Sequence, residues 1–256
     1  MNFEIKKALV TLELGDLVRI IETQESDLTL MELSFDERLE VLLATLVQER
    51  ENRLISRLIK NSYIKYPQAS IETLDYDSRD IAKSVIINIA NMGFMSTATN
   101  LIITGPTGSG KTYLASALGI EACKKEYRTL YIRMPDLMRN FENLKDNLRE
   151  QTKYRKRIGN YPLLIIDEWL NYKLSERESK ILYELFEQRA GNHPTIFVGQ
   201  YEIEAWHERL GGGTQADSIM DRIVHNSYPL PGSETNLRKI YDNRKLRNLV
   251  NMIEEK

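Results

Sequence analysis

An eight-residue segment near the middle of the chain has the residue types and spacing of a phosphate-binding loop. The pattern G-x-x-x-x-G-K-[ST] is matched in full by Gly105, Pro106, Thr107, Gly108, Ser109, Gly110, Lys111 and Thr112. Glycines let the backbone turn so that successive N–H groups face a phosphate, and a helix that starts there adds its positive end. We predict that Lys111 reaches the β- and γ-phosphates of a nucleotide and that the Thr112 hydroxyl binds Mg²⁺. Tyr113, the next residue, is included in the predicted nucleotide-binding set.

Two carboxylates follow the apolar run Leu163-Leu164-Ile165-Ile166. Such a run predicts a buried strand, and ligands of open α/β sheets bind at the carboxyl ends of strands. We expect Asp167 to hold the hydration shell of Mg²⁺ and Glu168 to orient and polarise an attacking water. Without Lys111 upstream, an ordinary surface turn would be the better explanation of this pair. With it, the pair indicates hydrolysis of a nucleoside triphosphate.

Two further polar residues are weaker candidates by spacing alone. Gln200 follows the predicted strand Thr195–Gly199, where its amide could contact the γ-phosphate or the attacking water. An ordinary amide at a strand end explains it equally well. Arg222 could enter the nucleotide site of a neighbouring subunit as an arginine finger, although spacing alone favours a surface salt bridge.

The composition is that of a water-soluble globular protein. Of the 256 residues, 42% are hydrophobic and 28% charged, and no run approaches the ~20 apolar residues of a membrane helix. The N-terminus lacks the apolar segment of a signal peptide, and the only cysteine, Cys123, excludes a disulfide framework. We therefore predict a cytoplasmic protein without a membrane partner.

The charges are unevenly distributed along the chain. The net charge is −2, but residues 139–157 and 236–247 are basic whereas residues 1–49 are acidic.

The order of the predicted elements indicates a parallel sheet between helices. Residues 1–76 are predicted to form a small all-helical domain, and residues 77–250 an α/β domain. The helical pattern that begins with a capping box at Ser34 is predicted to end near Tyr66-Pro67. A helix at 81–90 precedes the first strand. The predicted strands are 101–104, 129–133, 162–167, 195–199 and 227–230, and the helices between them are 111–124, 135–151 and 176–190.

Several blocks of the sequence resemble one family, the IstB-like AAA+ ATPases encoded beside the transposase of certain bacterial insertion sequences, which are related to the DnaC and DnaI helicase loaders. The resemblance runs from about residue 32 to 239. Its blocks are ELSFDERL, ERENRLISRLIKNSYIKYPQASIETLDY, NLIITGPTGSGKTYLASALG, LLIIDEW, TIFVGQYEIEAWHERLGGGTQADSIMDRIVHNSY and, more loosely, GSETNLRK.

The resemblance implies a P-loop AAA+ core with a parallel five-stranded sheet and no complete lid domain. It assigns residues 105–112 to the Walker A loop, and Asp167 and Glu168 to Walker B. Gln200 takes the sensor-1 position and Arg222 that of the arginine finger. Arg238 matches a basic residue of the family, but the stretch around it contains an insertion, so a sensor-2 role there stays open.

The implied activity is ATP- and Mg²⁺-dependent assembly on double-stranded target DNA, as a ring or spiral of identical subunits that bends the DNA. The assembled helper then recruits and stimulates the cognate transposase. Two runs of cations could neutralise DNA phosphates, although each could equally be a solvated helix face: Arg50, Arg53, Arg57 and Lys60, and Lys153, Arg155, Lys156 and Arg157. The alternatives are a DnaC-like loader of a replicative helicase and a P-loop kinase for a small molecule. A water-directing Glu168 favours hydrolysis over the kinase.

Overall fold

The structure, a computed structural model, describes residues 1–76 and 81–231. Its contacts divide the chain into two compact units, Met1–Arg57 and the residues from Leu58 onward. Arg238 and the basic segment 236–247 lie outside the described residues. Within the described part, no helix is long and apolar enough to cross a membrane.

The first unit is helical, as the apolar spacing predicts. It contains α1 (Phe3–Thr11), α2 (Gly15–Ser26), α3 (Leu28–Met31) and most of α4 (Phe35–Asn61). The predicted capping box is present, because the Ser34 N–H donates to the Glu37 carboxylate and the Glu37 N–H donates to Ser34 Oγ. A small core forms where α2 and α4 face each other, from Leu17, Ile20, Leu42 and Leu46.

The segment after α4 belongs to the second unit. Helix α4 ends at Asn61, several residues before the predicted end near Tyr66-Pro67. Beyond it, the side chains of Ile64, Ile71 and Leu74 are buried in the core that also holds the sheet. The division at residue 57 therefore falls earlier than the boundary that the sequence predicts at residue 76, because these apolar side chains have their burial partners in the second unit.

The second unit alternates helices and strands. Two short helices come first, α5 (Lys83–Ala90) and α6 (Gly93–Ser96). The remaining elements are β1 (Asn100–Thr104), α7 (Lys111–Lys124), β2 (Thr129–Arg133), α8 (Met134–Asn143), α9 (Leu148–Gly159), β3 (Leu163–Trp169), α10 (Glu176–Arg189), β4 (Thr195–Gly199), the 3-10 turn Ile203–Ala205, α11 (Trp206–Arg209), α12 (Gly213–Val224) and β5 (Ser227–Pro231).

The strands of the described residues form one parallel five-stranded sheet, which confirms the predicted fold class. Its order is β2-β3-β4-β1-β5. Strand β4 therefore lies directly between β1 and β3, although it follows both in the chain. Two apolar cores cover the two faces of the sheet, one around α7 and the other around α8, α10 and α12. This order brings the carboxyl ends of β1, β4 and β3 side by side.

One predicted helix is wrong: residues 135–151 form two helices, α8 and α9, rather than one. The break lies at residues 144–147, where Asn147 caps α9 by accepting a hydrogen bond from the Glu150 N–H at 3.1 Å. Asparagine is a strong N-cap residue because its side chain satisfies an N–H that the first turn leaves unpaired. Smaller differences are that α5 begins at Lys83 rather than at 81, and that β3 continues to Trp169.

A buried arginine holds the amino ends of β3 and β4 together. The Arg189 side chain is 2% exposed and donates to the carbonyl oxygens of Gly159 and Tyr161 at 3.0 and 2.8 Å, and to Thr195 Oγ1 at 2.9 Å. It also donates to the Ile158 and Pro194 carbonyls. Burial lowers the pKa of Arg189 to about 9, because the charged form loses hydration. One guanidinium thus satisfies carbonyl groups on two separate loops.

Replacing Arg189 with methionine is expected to destabilise the second unit by about 3–5 kcal/mol, because several buried carbonyl groups lose their donor. Chemical denaturation of the purified protein measures this change. The same substitution at the exposed Arg149 is the matched control, with an expected effect within about 0.5 kcal/mol. Equal midpoints for the two variants would contradict the role of Arg189.

Candidate nucleotide-binding site

The predicted phosphate loop connects the end of β1 to the start of α7. Gly105, Gly108 and Gly110 have φ angles of 138°, 89° and 78°, a region that glycine enters without steric cost. Helix α7 begins directly after the loop, at Lys111. Its first N–H groups have no partner within the helix, so the loop and the helix end together form a site suited to an anion.

The ammonium group of Lys111 lies within this loop. Lys111 Nζ donates to the carbonyl oxygens of Gly105 and Pro106 at 2.6 and 2.7 Å, and the residue is only 8% exposed. A positive charge is therefore held by carbonyl oxygens of the loop, where it adds to the attraction of the loop for phosphate.

The carboxylate of Asp167 joins three elements. It is 4% exposed, and its Oδ2 accepts hydrogen bonds from Thr112 Oγ1 at 3.0 Å and from the Tyr131 hydroxyl at 2.5 Å. Its Oδ1 accepts from the Glu168 N–H at 2.9 Å. The two residues that the sequence assigns to Mg²⁺, Thr112 and Asp167, thus lie in direct contact although 55 positions separate them.

A backbone irregularity separates the directions of Asp167 and Glu168. The pairing of β3 with β4 shifts register between Ile166 and Trp169, and Glu168 adopts a φ of 58°, which is uncommon for a residue other than glycine. Such irregularities re-aim side chains near functional sites. Asp167 is consequently buried against α7, whereas the Glu168 side chain remains 34% exposed.

Tyr131 and Arg133, both on β2, are site residues that the sequence did not reveal. Burial and the adjacent Asp167 raise the pKa of Tyr131, so its hydroxyl stays protonated and donates to that carboxylate. Arg133 Nη1 lies 3.7 Å from Glu168 Oε1, and Arg133 Nε donates to Asp136 at 2.7 Å. The pairing of Arg133 with Asp167 in the β2–β3 register places both residues there. Register is not readable from one sequence, since β2 has no motif of its own.

Gln200 lies where the sequence placed it, directly after β4. Gly199 pairs with Trp169 at the end of β3, and a Cβ on Gly199 would lie only 3.1 Å from the Trp169 carbonyl oxygen. The absence of a side chain at Gly199 allows the two strand ends to approach closely. Since β4 lies between β1 and β3, the exposed Gln200 side chain starts from the same edge of the sheet as the phosphate loop and Asp167.

Arg222 lies at the opposite end of the sheet. It lines a small cavity with Asn100 and Thr195, the first residues of β1 and β4, whereas the phosphate loop follows the carboxyl end of β1. A strand of this length spans about 16 Å. The Arg222 guanidinium lies 4.7 Å from the centre of the Tyr183 ring and 3.5 Å from Glu187, and its side chain is 25% exposed. It therefore does not approach the phosphate loop of its own chain.

The cations proposed for DNA differ in their surroundings. In the first unit, Arg53 forms a two-pronged ion pair with Asp16, which Arg50 also approaches at 3.8 Å. On α9, Arg155 pairs with Glu184 and Lys153 pairs with Glu150. The remaining members of both runs are exposed: Arg57, Lys60, Lys156 and Arg157.

Tyr113 contacts the segment that follows α4. Its hydroxyl lies 2.9 Å from Thr73 Oγ1, and its ring is tilted against that of Tyr66 with the centroids 5.9 Å apart. The aromatic ring thus fixes residues 66–73 beside the start of α7. Its predicted contact with a nucleotide remains a prediction.

The residues at the carboxyl edge suit Mg²⁺ only together with phosphate oxygens. Among the described residues, no group of three or more His, Cys, Asp or Glu side chains could hold a metal ion. Mg²⁺ requires oxygen ligands in octahedral geometry and is commonly held by one or two carboxylates plus the phosphates of a substrate. Thr112 and Asp167, which already touch, provide one hydroxyl and one carboxylate beside a phosphate loop, so the donor set fits a nucleotide-bound magnesium ion.

Comparisons with known proteins agree on one family. A family model described as IstB-like ATP binding protein matches residues 7–244. A "Putative insertion sequence ATP-binding protein" of Sinorhizobium fredii is 34% identical, over 81% of this chain and 84% of the relative. The "Insertion sequence IS1162 putative ATP-binding protein" of Pseudomonas fluorescens is 35% identical, over 74% and 82%.

Solved structures resemble about two thirds of this chain in fold. The crystal structure of the DnaC helicase loader matches with a TM-score of 0.57 and 21% identity, over 66% of this chain and 99% of that chain. At this identity the match supports the AAA+ P-loop fold alone.

Replacing Lys111 with alanine is expected to weaken nucleotide binding about 100-fold or more, because the loop loses its buried positive charge and an ion–phosphate hydrogen bond is among the strongest in proteins. Titration with a fluorescent ATP analogue measures the affinity. Lys124→Ala, near the exposed end of the same helix, is the matched control and is expected to bind normally. Wild-type affinity in the Lys111 variant would show that nucleotide binds elsewhere.

Proposed function

This chain belongs to the IstB-like ATP-binding protein family, and from that premise we propose that it hydrolyses ATP with Mg²⁺ and assembles on double-stranded target DNA to recruit a cognate transposase. It is an ATP-binding AAA+ protein by family and fold. Hydrolysis, DNA binding, self-assembly, the transposase partner and a cytoplasmic location are the further steps proposed.

The observation that carries the proposal of hydrolysis is the convergence of three strand ends. Thr112 and Asp167 are hydrogen-bonded, Glu168 follows Asp167, and Gln200 follows the strand between them. Bound Mg²⁺ would neutralise phosphate charge at Thr112 and Asp167. The partly exposed Glu168 is then positioned to accept a proton from water, and the Gln200 amide to orient that water.

Arg222 supports a role for a second subunit in hydrolysis. Because it lies at the amino edge of the sheet, it cannot stabilise charge at the phosphate loop of its own chain. In an assembly that stacks the amino edge of one subunit on the carboxyl edge of the next, Arg222 would complete the neighbour's site. Arg222 would then leave Tyr183 and Glu187 and bind the γ-phosphate of the neighbouring subunit's nucleotide. Assembly would thereby be coupled to nucleotide binding.

The proposal of DNA binding rests on the exposed cations and on the family. Lys156 and Arg157 on α9, with Arg57 and Lys60 near the end of α4, are exposed and suited to phosphate contacts. Arg53 and Arg155 are already in ion pairs, so they are weaker candidates.

The relatives favour a transposition helper over the helicase-loader alternative. The proteins that are 34% and 35% identical carry names of insertion sequence ATP-binding proteins, whereas the DnaC loader is related in fold at 21% identity. A transposase gene beside the gene for this chain would decide between the two partners.

The central experiment combines ATP turnover and duplex binding in Glu168→Gln. This change keeps the shape of the side chain but removes its basicity, so phosphate release is expected to fall about 10²- to 10⁴-fold while ATP binding persists. Complexes on linear duplex DNA, seen by electron microscopy with ATP and Mg²⁺, are expected to accumulate because they no longer dissociate.

The control for that experiment is Glu121→Gln, near the far end of α7, where the carboxylate pairs with Lys124. It is expected to keep wild-type turnover. Duplex affinity of the wild-type protein is expected to fall steeply as salt rises, in proportion to the phosphates contacted. Unchanged turnover in Glu168→Gln would refute the role of Glu168, and salt-independent duplex binding would refute the role of the cations.

Arg222→Ala is expected to lower turnover about 10³-fold or more with nearly unchanged ATP affinity. If the arginine acts in the neighbouring subunit, mixing Arg222→Ala with Lys111→Ala recovers turnover, since the first protein has an intact loop and the second an intact arginine. Phosphate release from the mixture, compared with each variant alone, measures this recovery. A mixture as inactive as its components would argue against a shared site, provided that both variants melt at the wild-type temperature.

A further inference from the structure

A cavity of about 600 Å³ opens beside the edge strand β2 within the second unit. It is bounded by β2, by α8 and α9, and by the residues that follow α4. We call it the tyrosine cavity, and six of its lining residues carry the argument: Tyr63, Tyr131, Arg133, Tyr154, Arg157 and Tyr161.

Aromatic rings and cations alternate around this cavity. The Arg157 guanidinium lies 5.1 Å from the centre of the Tyr154 ring, and Arg128 lies 5.9 Å from that of Tyr161. Lys65, Arg133 and Arg157 line the cavity against a single lining carboxylate, Asp136. Proteins bind single-stranded nucleic acid with this combination: aromatic rings stack on the bases, and cations bind the phosphates.

Tyr63 lines the cavity although it is 73% exposed. Its φ of 56° is uncommon for a bulky side chain, and the residues on both sides are anchored. The Ser62 carbonyl accepts a hydrogen bond from the Tyr131 N–H at 2.8 Å, and Ile64 is buried in the core. A left-handed residue is common where a helix ends, and α4 ends at Asn61, so the backbone conformation has a structural cause. It places an exposed aromatic ring beside the cavity, where the ring is accessible to a ligand.

The size of the cavity restricts the ligand. Its volume lies in the range of sites that enclose one small molecule. The paired bases of a duplex are stacked on one another and cannot enter, whereas an unpaired base exposes both of its faces.

We propose that the tyrosine cavity binds an unpaired nucleotide of a DNA strand, with the base stacked on Tyr63 or Tyr161 and the phosphate at Arg133 and Arg157. This inference extends the proposed function, since such nucleotides arise where duplex DNA is strongly distorted.

Two lining residues connect this cavity to the nucleotide site. Tyr131 donates to Asp167, and Arg133 lies near Glu168 while also pairing with Asp136. A DNA phosphate at Arg133 competes with Glu168 for the guanidinium. Occupation of the cavity therefore frees the Glu168 carboxylate and raises the rate of ATP hydrolysis.

The binding test uses a fluorescently labelled oligodeoxythymidylate of about 12 nucleotides and measures anisotropy with the full chain. Tyr63→Ala and Tyr161→Leu are each expected to weaken binding about tenfold, because each removes a stacking surface. Tyr63→Phe keeps the ring and is expected to bind like the wild type. Tyr228→Ala removes an exposed tyrosine from the other edge strand and is the matched control.

Two results would overturn the proposal. They are wild-type affinity in both Tyr63→Ala and Tyr161→Leu, and an equal loss of affinity in Tyr228→Ala. Circular dichroism melting of each variant separates lost binding from lost folding. Thymidine monophosphate, added as a competitor, tests whether one nucleotide is sufficient for binding. If it displaces the oligonucleotide from the wild type but not from Tyr63→Ala, the result supports binding in the tyrosine cavity.

The coupling test compares ATP turnover with and without the oligonucleotide. Stimulation is expected in the wild type and is expected to disappear in Arg133→Ala, with the basal rate of that variant raised. Undiminished stimulation in Arg133→Ala would overturn the coupling. The anisotropy measurement requires neither hydrolysis nor duplex assembly, so failure of the cavity and failure of the proposed function are distinguishable.

Discussion

The buried carboxylate of Asp167 is the interaction on which the candidate site depends. A buried carboxylate is tolerated only when it accepts hydrogen bonds. Asp167 accepts them from the Thr112 hydroxyl, the Tyr131 hydroxyl and the Glu168 N–H. Each partner belongs to a different element, so satisfying this single group fixes α7, β2 and β3 relative to one another. The phosphate loop and Glu168 are positioned as a consequence.

The order of the strands determines which residues can act together. With β4 between β1 and β3, a polar residue after β4 lies between the phosphate loop and the carboxylates, and Gln200 occupies that position. The parallel direction of the strands places Arg222, which precedes β5, at the amino end of the sheet, beside Asn100 and Thr195. A role for both residues in one reaction is compatible only with two copies of the chain, because a rigid sheet separates its two edges.

Local patterns predicted the fold well, and long-range pairing explains what they missed. The apolar runs and the glycine pattern gave the strands 129–133 and 195–199 and the helix 111–124 with the observed bounds, because their signals lie within each segment. Tyr131 and Arg133 reach the site only through the register of β2 against β3, which no local pattern encodes. The break before α9 depends on a cap at Asn147 that a long polar helix pattern concealed. The roles of Gln200 and Arg222 remain predictions.

The charge distribution favours an assembly over a single subunit on DNA. The chain has a net charge of −2, and Arg53, Lys153 and Arg155 are neutralised by carboxylates of their own units. Part of the predicted DNA-contacting set is therefore already paired, and the affinity gained from counterion release grows with the number of phosphates contacted. Joining identical subunits multiplies those contacts and makes the later ones intramolecular. Arg222 at a shared site would make that joining depend on ATP, so duplex affinity would follow nucleotide state.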